Sequence, residues 1–207
     1  MSKQSESHWD SVYSTKAPNA VSWYAAHLTT SFELIKRVAP KWPAIIDVGG
    51  GESTLADDLL AEGYRYITVL DISAKAIEVS KQRFGPFSIY IDWRIGDILT
   101  ADLPSNYYDV WHDRAVFHFL TSEDDRRAYV KKVAQAVKPG GHVIVATFGP
   151  EGPTKCSGLD VMSYDAESLH SEFGKLFRLL NSRTEVHRTP GGADQQFLYC
   201  LCRIEQH

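Results

Sequence analysis

Between residues 44 and 148 the chain alternates short unbroken apolar runs with stretches whose apolar positions return every few residues. An unbroken run suits a parallel strand buried on both faces, and the longer period suits a helix with one buried face. Ala44-Ile45-Ile46-Asp47-Val48 is the first such strand, stopped at Gly49-Gly50-Gly51. Ser53 or Thr54 opens the next helix, Leu55, Leu59 and Leu60 give it an apolar face, and Gly63 stands where a glycine cap belongs. Tyr66 to Leu70 is a second strand ending in Asp71. A helix capped by Ser73 follows, with Ala76, Ile77, Ser80 and Phe84 on one side.

The alternation continues with strands at Ser88–Ile95, ending in Gly96-Asp97, and at Tyr108–His112, ending in Asp113. A helix from Ser122 to Lys138 carries acids in its first turn and lysines later, which suits the helix dipole, and Pro139-Gly140-Gly141 stops it. His142–Phe148 is the fifth strand, Ala166–Phe173 a further helix, and Phe177–His187 and Gln196–Ile204 two closing strands joined by a short turn. The pattern predicts a single α/β domain. Its core is a doubly wound, Rossmann-like, seven-stranded, mostly parallel sheet with an antiparallel C-terminal edge hairpin. Residues 1–40 carry helical periodicity and are expected to form an N-terminal flap, of which residues 1–30 are expected to be mobile and to close over the site, with residues 41–207 as the main body.

Composition narrows the function without naming it. Apolar residues make up 43% and charged residues 23% of the 207, which is globular. The net charge of −4 comes with no basic stripe, so nucleic acid is not an expected partner. No apolar run approaches the ~18 residues of a membrane helix. The polar start MSKQSESHWD has no signal-peptide core, so a cytoplasmic location is expected. Cys156, Cys200 and Cys202 have neither disulfide-framework nor metal-ligand spacing, and no metal is expected. Cys200 and Cys202 alternate on what reads as an edge strand, as buried apolar thiols.

In such a sheet ligands bind beyond the carboxyl ends of the strands. Asp47, Asp71, Asp97 and Asp113 stand at four of those ends. Gly49 and Gly51 suit a tight turn and a close backbone approach to a ligand. Thr54 replaces the third glycine of a dinucleotide loop, and Glu52 would repel a pyrophosphate at the helix start. A cofactor without phosphate fits better. Asp71 is placed to accept from ribose hydroxyls and Asp97 from an adenine amine, with Ile72 and Ile98 sandwiching the ring. The ligand implied is an adenosine with a compact arm.

Taken in order, Asp47-Val48-Gly49-Gly50-Gly51, Leu70-Asp71-Ile72-Ser73, Gly96-Asp97-Ile98, Tyr108-Asp109-Val110 and Lys138-Pro139-Gly140-Gly141 resemble the motifs of class I S-adenosylmethionine-dependent methyltransferases. The resemblance implies S-adenosyl-L-methionine as cofactor. It further implies that Gly49, Gly50 and Gly51 pass under the methionine part, that Asp71 holds the ribose, and that Asp97 and Ile98 hold the adenine. Asp47 joins that binding set, and Asp113 would touch the methionine amine or the substrate.

Trp111-His112-Asp113-Arg114-Ala115 is similar to the corresponding stretch of thiopurine S-methyltransferases and related thiol enzymes. It is more distantly similar to small protein-lysine methyltransferases, where Asp-Lys-Gly stands. A small nucleophile, with a thiol favoured, is the expected acceptor; a protein lysine, or a non-catalytic adenosine-binding module, are the alternatives. His118, with an ordinary pKa of roughly 6.5, is the expected base, with Arg114 and Asp113 beside it. His112 is assigned a structural place in its strand. Phe117 and Phe119 would wall an apolar acceptor pocket, with Tyr13 and Tyr24 contributing from the flap and Cys156 from an overhanging loop. Trp9 and Trp23 belong to the same aromatic flap, and Trp23 is expected against the sulfonium.

Overall fold

The computed structural model describes residues 3–205, and its N-terminal segment folds as α1 (Lys3–Thr15) and α2 (Thr29–Val38) ahead of the sheet. Met1 and Ser2 of the expected flap, and Gln206 and His207 of the main body, lie outside the described residues. The chain then alternates as β1 (Ala44–Val48), α3 (Leu55–Glu62), β2 (Tyr66–Asp71), α4 (Ala74–Phe84), β3 (Ile91–Ile95), β4 (Tyr108–Arg114), α5 (Glu123–Ala136) and β5 (Val137–Phe148). Two short strands, β6 (Lys155–Cys156) and β7 (Leu159–Asp160), pair with each other before α6 (Ala166–Phe173), β8 (Phe177–Arg188) and β9 (Asp194–Ile204).

The seven-stranded sheet runs β3-β2-β1-β4-β5-β9-β8. β1 to β5 are parallel, and β9 joins β5, and β8 joins β9, antiparallel. The order reverses between β1 and β4, which is the switch point where a ligand crevice opens. Alternate strand residues divide between two cores. Ile45, Ile67, Val69 and Val110 pack with α2, α3 and α4, while Ile46, Val48, Trp111 and Val143 pack with α5 and α6.

Local chemistry fixes the helix ends as the sequence predicts at two places. The Ser73 hydroxyl accepts from the Ala76 N–H at 3.1 Å, and Gly63 closes α3 in a left-handed conformation, φ +104. Elsewhere the boundaries move. Gly85 to Tyr90 form a 3-10 turn, so β3 begins at Ile91 rather than Ser88. α5 stops at Ala136, and Val137 already pairs with Tyr108, so Pro139-Gly140-Gly141 lies inside β5 at a break in register. β8 is the sheet's edge and β9 an inner strand, so Cys200 and Cys202 sit buried inside the sheet, not on its edge.

Candidate active site

The glycine turn after β1 is built by close approach. Gly49 has φ +70, its N–H donates to the Leu70 carbonyl at 2.7 Å, and a Cβ there would lie 2.1 Å from Val116 Cγ2. A Cβ on Gly50 would lie 2.3 Å from Asp47 Oδ2, and one on Gly51 2.6 Å from Asp71 Oδ2. The space the glycines leave is thus filled first by the chain's own side chains, where the sequence suggested a ligand alone. The Gly51 N–H donates to Asp71 Oδ2 at 3.0 Å and the Ser73 N–H to Oδ1 at 2.8 Å. Each carboxylate oxygen keeps capacity for one more donor. Burial pushes Asp71 up to about 6, against those two N–H groups.

Two neighbouring cavities open at these strand ends. One, of about 650 Å³, is lined by Asp71, Ile72, Asp97 and Ile98, and also by Trp9, Phe119 and Cys156. The other, of about 480 Å³, is lined by Asp47, Gly50, Glu52, His112 and Tyr24. Tyr13, Trp23, Gly49 and Arg114 line both and join them. The flap supplies an aromatic cluster over the first: Trp9 packs edge-on against Phe119 at 5.1 Å and Trp23 at 5.8 Å between ring centres.

The second cavity is acidic. His112 bridges Asp47 Oδ1, 2.7 Å from Nδ1, and the Ser31 hydroxyl, 2.9 Å from Nε2. That leaves Asp47 Oδ2 buried without a partner, and both carboxylate oxygens of Glu52 likewise. Burial pushes Glu52 up to about 7, with Arg83 opposing and Asp71 adding. An unpaired buried charge is costly, so these oxygens call for a cation.

Arg114 is buried at the join. Its Nε–H donates to the Tyr199 hydroxyl at 3.0 Å and Nη1 to the Trp23 carbonyl at 3.1 Å, and its guanidinium lies 4.0 Å over the Phe197 ring. Nη2 has no hydrogen-bond partner, and the nearest carboxylate, Glu185, is 4.0 Å away. Both N–H groups of Nη2 are therefore left without an acceptor.

Four expected site residues fall outside both cavities: Gly51, whose N–H is turned to Asp71, and Asp113, Phe117 and His118. Asp113 is fully buried and accepts from the Val116 N–H at 2.9 Å, the Phe117 N–H at 3.1 Å and the Tyr129 hydroxyl at 2.6 Å. It braces the turn after β4 and does not touch Arg114 or a ligand. Burial pushes it up to about 6, against those donors. Phe117 packs in the α5 and α6 core against Tyr129, Tyr164 and Phe173, not in an acceptor pocket. His118 is fully buried, its Nδ1 accepts from the Phe148 N–H at 3.3 Å, and its ring lies against Phe119 and Phe148. Burial, with the Arg114 charge adding, pushes it down to about 3, so it stays neutral and cannot take a proton near pH 7. The base assignment fails on both counts.

Apart from these four, the expected residues do line the cavities, Tyr24 beside Asp47 and Glu52 rather than beside Phe119. Cys156 is buried and its thiol is pushed up to about 11, so it is no thiolate at neutral pH. The sequence reading did not place Glu52, Trp9 or Tyr199 in the site. Among the described residues no group of three or more His, Cys, Asp or Glu is arranged to hold a metal ion, and no helix is long and apolar enough to cross a membrane.

Residues 46–145 match the family described as a methyltransferase domain. The chain is 34% identical over 104 residues to an uncharacterized methyltransferase of Mycobacterium tuberculosis, covering half of each. It thus spans about half the length of that relative. It is 24% identical over 140 residues to the eEF1A lysine and N-terminal methyltransferase of Mus musculus, covering 68% of this chain and 20% of that one. A solved structure from the conversion of a disulfide bond into a thioacetal group during echinomycin biosynthesis shares the fold, with a TM-score of 0.80, 18% identity, and coverage of 97% of this chain and 92% of that one.

Proposed function

From the match of residues 46–145 to a methyltransferase domain we propose that the protein is a class I S-adenosylmethionine-dependent methyltransferase that transfers the methyl group to a small thiol. The juxtaposition of the two cavities carries the reading: carboxylates for an adenosine line one, unpaired carboxylate oxygens for an ammonium line the other, and Gly49 lies between. Asp71, Asp97, Ile72 and Ile98 would hold the adenosine, and Asp47 the ammonium of the amino-acid arm, with the Glu52 charge left over in the same cavity. When bound, the cofactor supplies an electrophilic methyl group on a sulfonium.

The acceptor is argued from Arg114. Its guanidinium, whose Nη2 has no hydrogen-bond partner, borders the same cavity as Trp9, Trp23 and Phe119. A fixed cation in an apolar, water-poor wall stabilises an anion and disfavours an ammonium. A free thiol with a pKa of ~8.5 is only a few per cent ionised at pH 7, and a neighbouring cation raises that fraction. Arg114 therefore holds the thiolate, and the aromatics exclude water. The sulfur chemistry of the echinomycin fold neighbour is consistent with this acceptor.

Mass spectrometry of products from a thiol panel and from cell extract, with cofactor supplied, tests the reading. S-methylated thiols are expected. With His118 excluded as the base, log(kcat/KM) should rise with the thiol's own lowered pKa, and Arg114→Gln should lower kcat/KM by about tenfold or more. Methylated protein lysine without methylated thiol would move the protein to the class of its mouse relative. Cofactor binding with no transfer at all would leave a non-catalytic adenosine-binding module.

A further inference from the structure

Glu52 is a buried carboxylate that the structure leaves without a partner. It is 5% exposed, both oxygens lack hydrogen bonds, and it lines the cavity that also holds the free oxygen of Asp47. The charged groups around it do not neutralise it. From α4, Arg83 donates to the Glu52 backbone carbonyl at 3.1 Å, and its charge pairs with Asp57 of α3 at 2.9 Å. Asp71 on β2 and Asp47 on β1 add negative charge. Tyr13 on α1 and His112 on β4 also line this cavity, and His112 is engaged with Asp47. Arg114 is the one cation that lines both cavities, and two of its nitrogens are bonded elsewhere.

The cofactor and its product share the ammonium and the carboxylate and differ by the positive sulfur. Glu52 lines the cavity that meets the adenosine-side cavity at Gly49, so its surplus charge acts on a sulfur held at that join and attracts the first more than the second. We propose that Glu52 is a cofactor-selecting residue: as a carboxylate it favours the cationic S-adenosylmethionine over the sulfur-neutral product S-adenosylhomocysteine, and so promotes their exchange. This rests on the methyltransferase reading above. Because burial raises Glu52 to about 7, the preference weakens as pH falls through the neutral range and the carboxylate protonates.

Titration calorimetry of the full chain with each of the two compounds, at pH 6 and pH 7.5, tests the proposal. In the wild type the affinity ratio of S-adenosylmethionine to S-adenosylhomocysteine should rise by about fivefold between those pH values. Glu52→Gln should lower the ratio at pH 7.5 to about its pH 6 value and remove the part of the pH dependence that Glu52 carries; Asp71, pushed up to about 6, titrates in both proteins, so its share cancels in the comparison of the two. Glu52→Thr, with a different shape and no charge, should do the same, which separates lost charge from lost packing. A ratio that stays constant with pH in the wild type, or that survives both substitutions, overturns the selection by Glu52. If neither compound binds the wild type, it is the methyltransferase reading that fails.

Discussion

The residue that decides the site's geometry is Ala115, which holds a left-handed φ of +71 immediately after β4. A strand alternates its faces, so Trp111 and Asp113 share one and His112 and Arg114 the other. Arg114 accordingly reaches the cavities while Asp113 turns to Tyr129. That parity was legible in the sequence, and it argues against grouping Asp113 with Arg114 at a ligand. The turn at Ala115 was not legible, because nothing in an Ala-Val pair signals positive φ; it buries Phe117 and His118 where a continued strand would not. His118 then predicts an acid-linked loss of stability. Its pKa is about 3 folded and ordinary, near 6.5, unfolded. Between those values the unfolded chain binds the extra proton, so stability present above ~6.5 is lost as pH falls, by up to about 1.4 kcal/mol per pH unit. The raised Asp71 and Asp113 act in the opposite sense. His118→Asn keeps an acceptor for the Phe148 N–H but does not titrate. Urea denaturation from pH 7 to pH 5 should show the wild type losing more stability than this variant. Equal slopes would mean that His118 is charged in the folded state.

Among the elements, α1 is held by one carboxylate. Asp10 Oδ1 accepts from the Ser73 hydroxyl at 2.5 Å and from the Lys75 N–H at 3.2 Å, so a residue of α1 helps to cap α4. Through this contact the helix that brings Trp9 and Tyr13 over the first cavity is tied to the loop that ends in Asp71. Asp10→Ala should remove roughly 1–2 kcal/mol of that docking. Hydrogen exchange of the α1 amides should quicken in the variant and slow again on adding S-adenosylhomocysteine; unchanged α1 exchange would place the anchoring in the aromatic cluster instead. Legibility at this scale followed local chemistry. The caps at Ser73 and Gly63 and the span of α6 stand in the sequence because each is set by neighbouring residues. The start of β3 and the early start of β5 do not, because they depend on partners far along the chain, Ile67 and Tyr108. Neither does the reach of α1 to α4, a contact across more than sixty residues.

At the scale of the whole molecule, a buried hydrogen-bonded chain joins the two cavities behind their walls. Arg114 donates to the Tyr199 hydroxyl, Ser31 lies close enough to act on that phenol, Ser31 meets His112 Nε2, and His112 Nδ1 meets Asp47. It crosses β4, β9, α2 and β1, which explains why no stretch of sequence announced it. The bonds run guanidinium to phenol at one end and, at the other, hydroxyl to Nε2 and Nδ1–H to carboxylate. His112 thus keeps the structural place its sequence suggested, with the added task of aiming Asp47. Buried hydrogen-bonded networks rigidify what they hold, and this one ends in a cation at the acceptor side and a carboxylate at the cofactor side, each keeping one atom free for a ligand. Tyr199→Phe cuts the chain next to Arg114 and leaves the Arg114 Nε–H without its acceptor, at a cost of about 1.5–3 kcal/mol. Arg114 should then be less well placed, lowering kcat/KM for the thiol by about tenfold. Asp47 keeps its bond to His112, so affinity for S-adenosylhomocysteine should change by less than about twofold. Steady-state kinetics and calorimetry on the same preparation measure both. An equal loss in the two would show that the chain acts as one unit, and no loss in either that Trp23 and Phe197 alone hold the guanidinium.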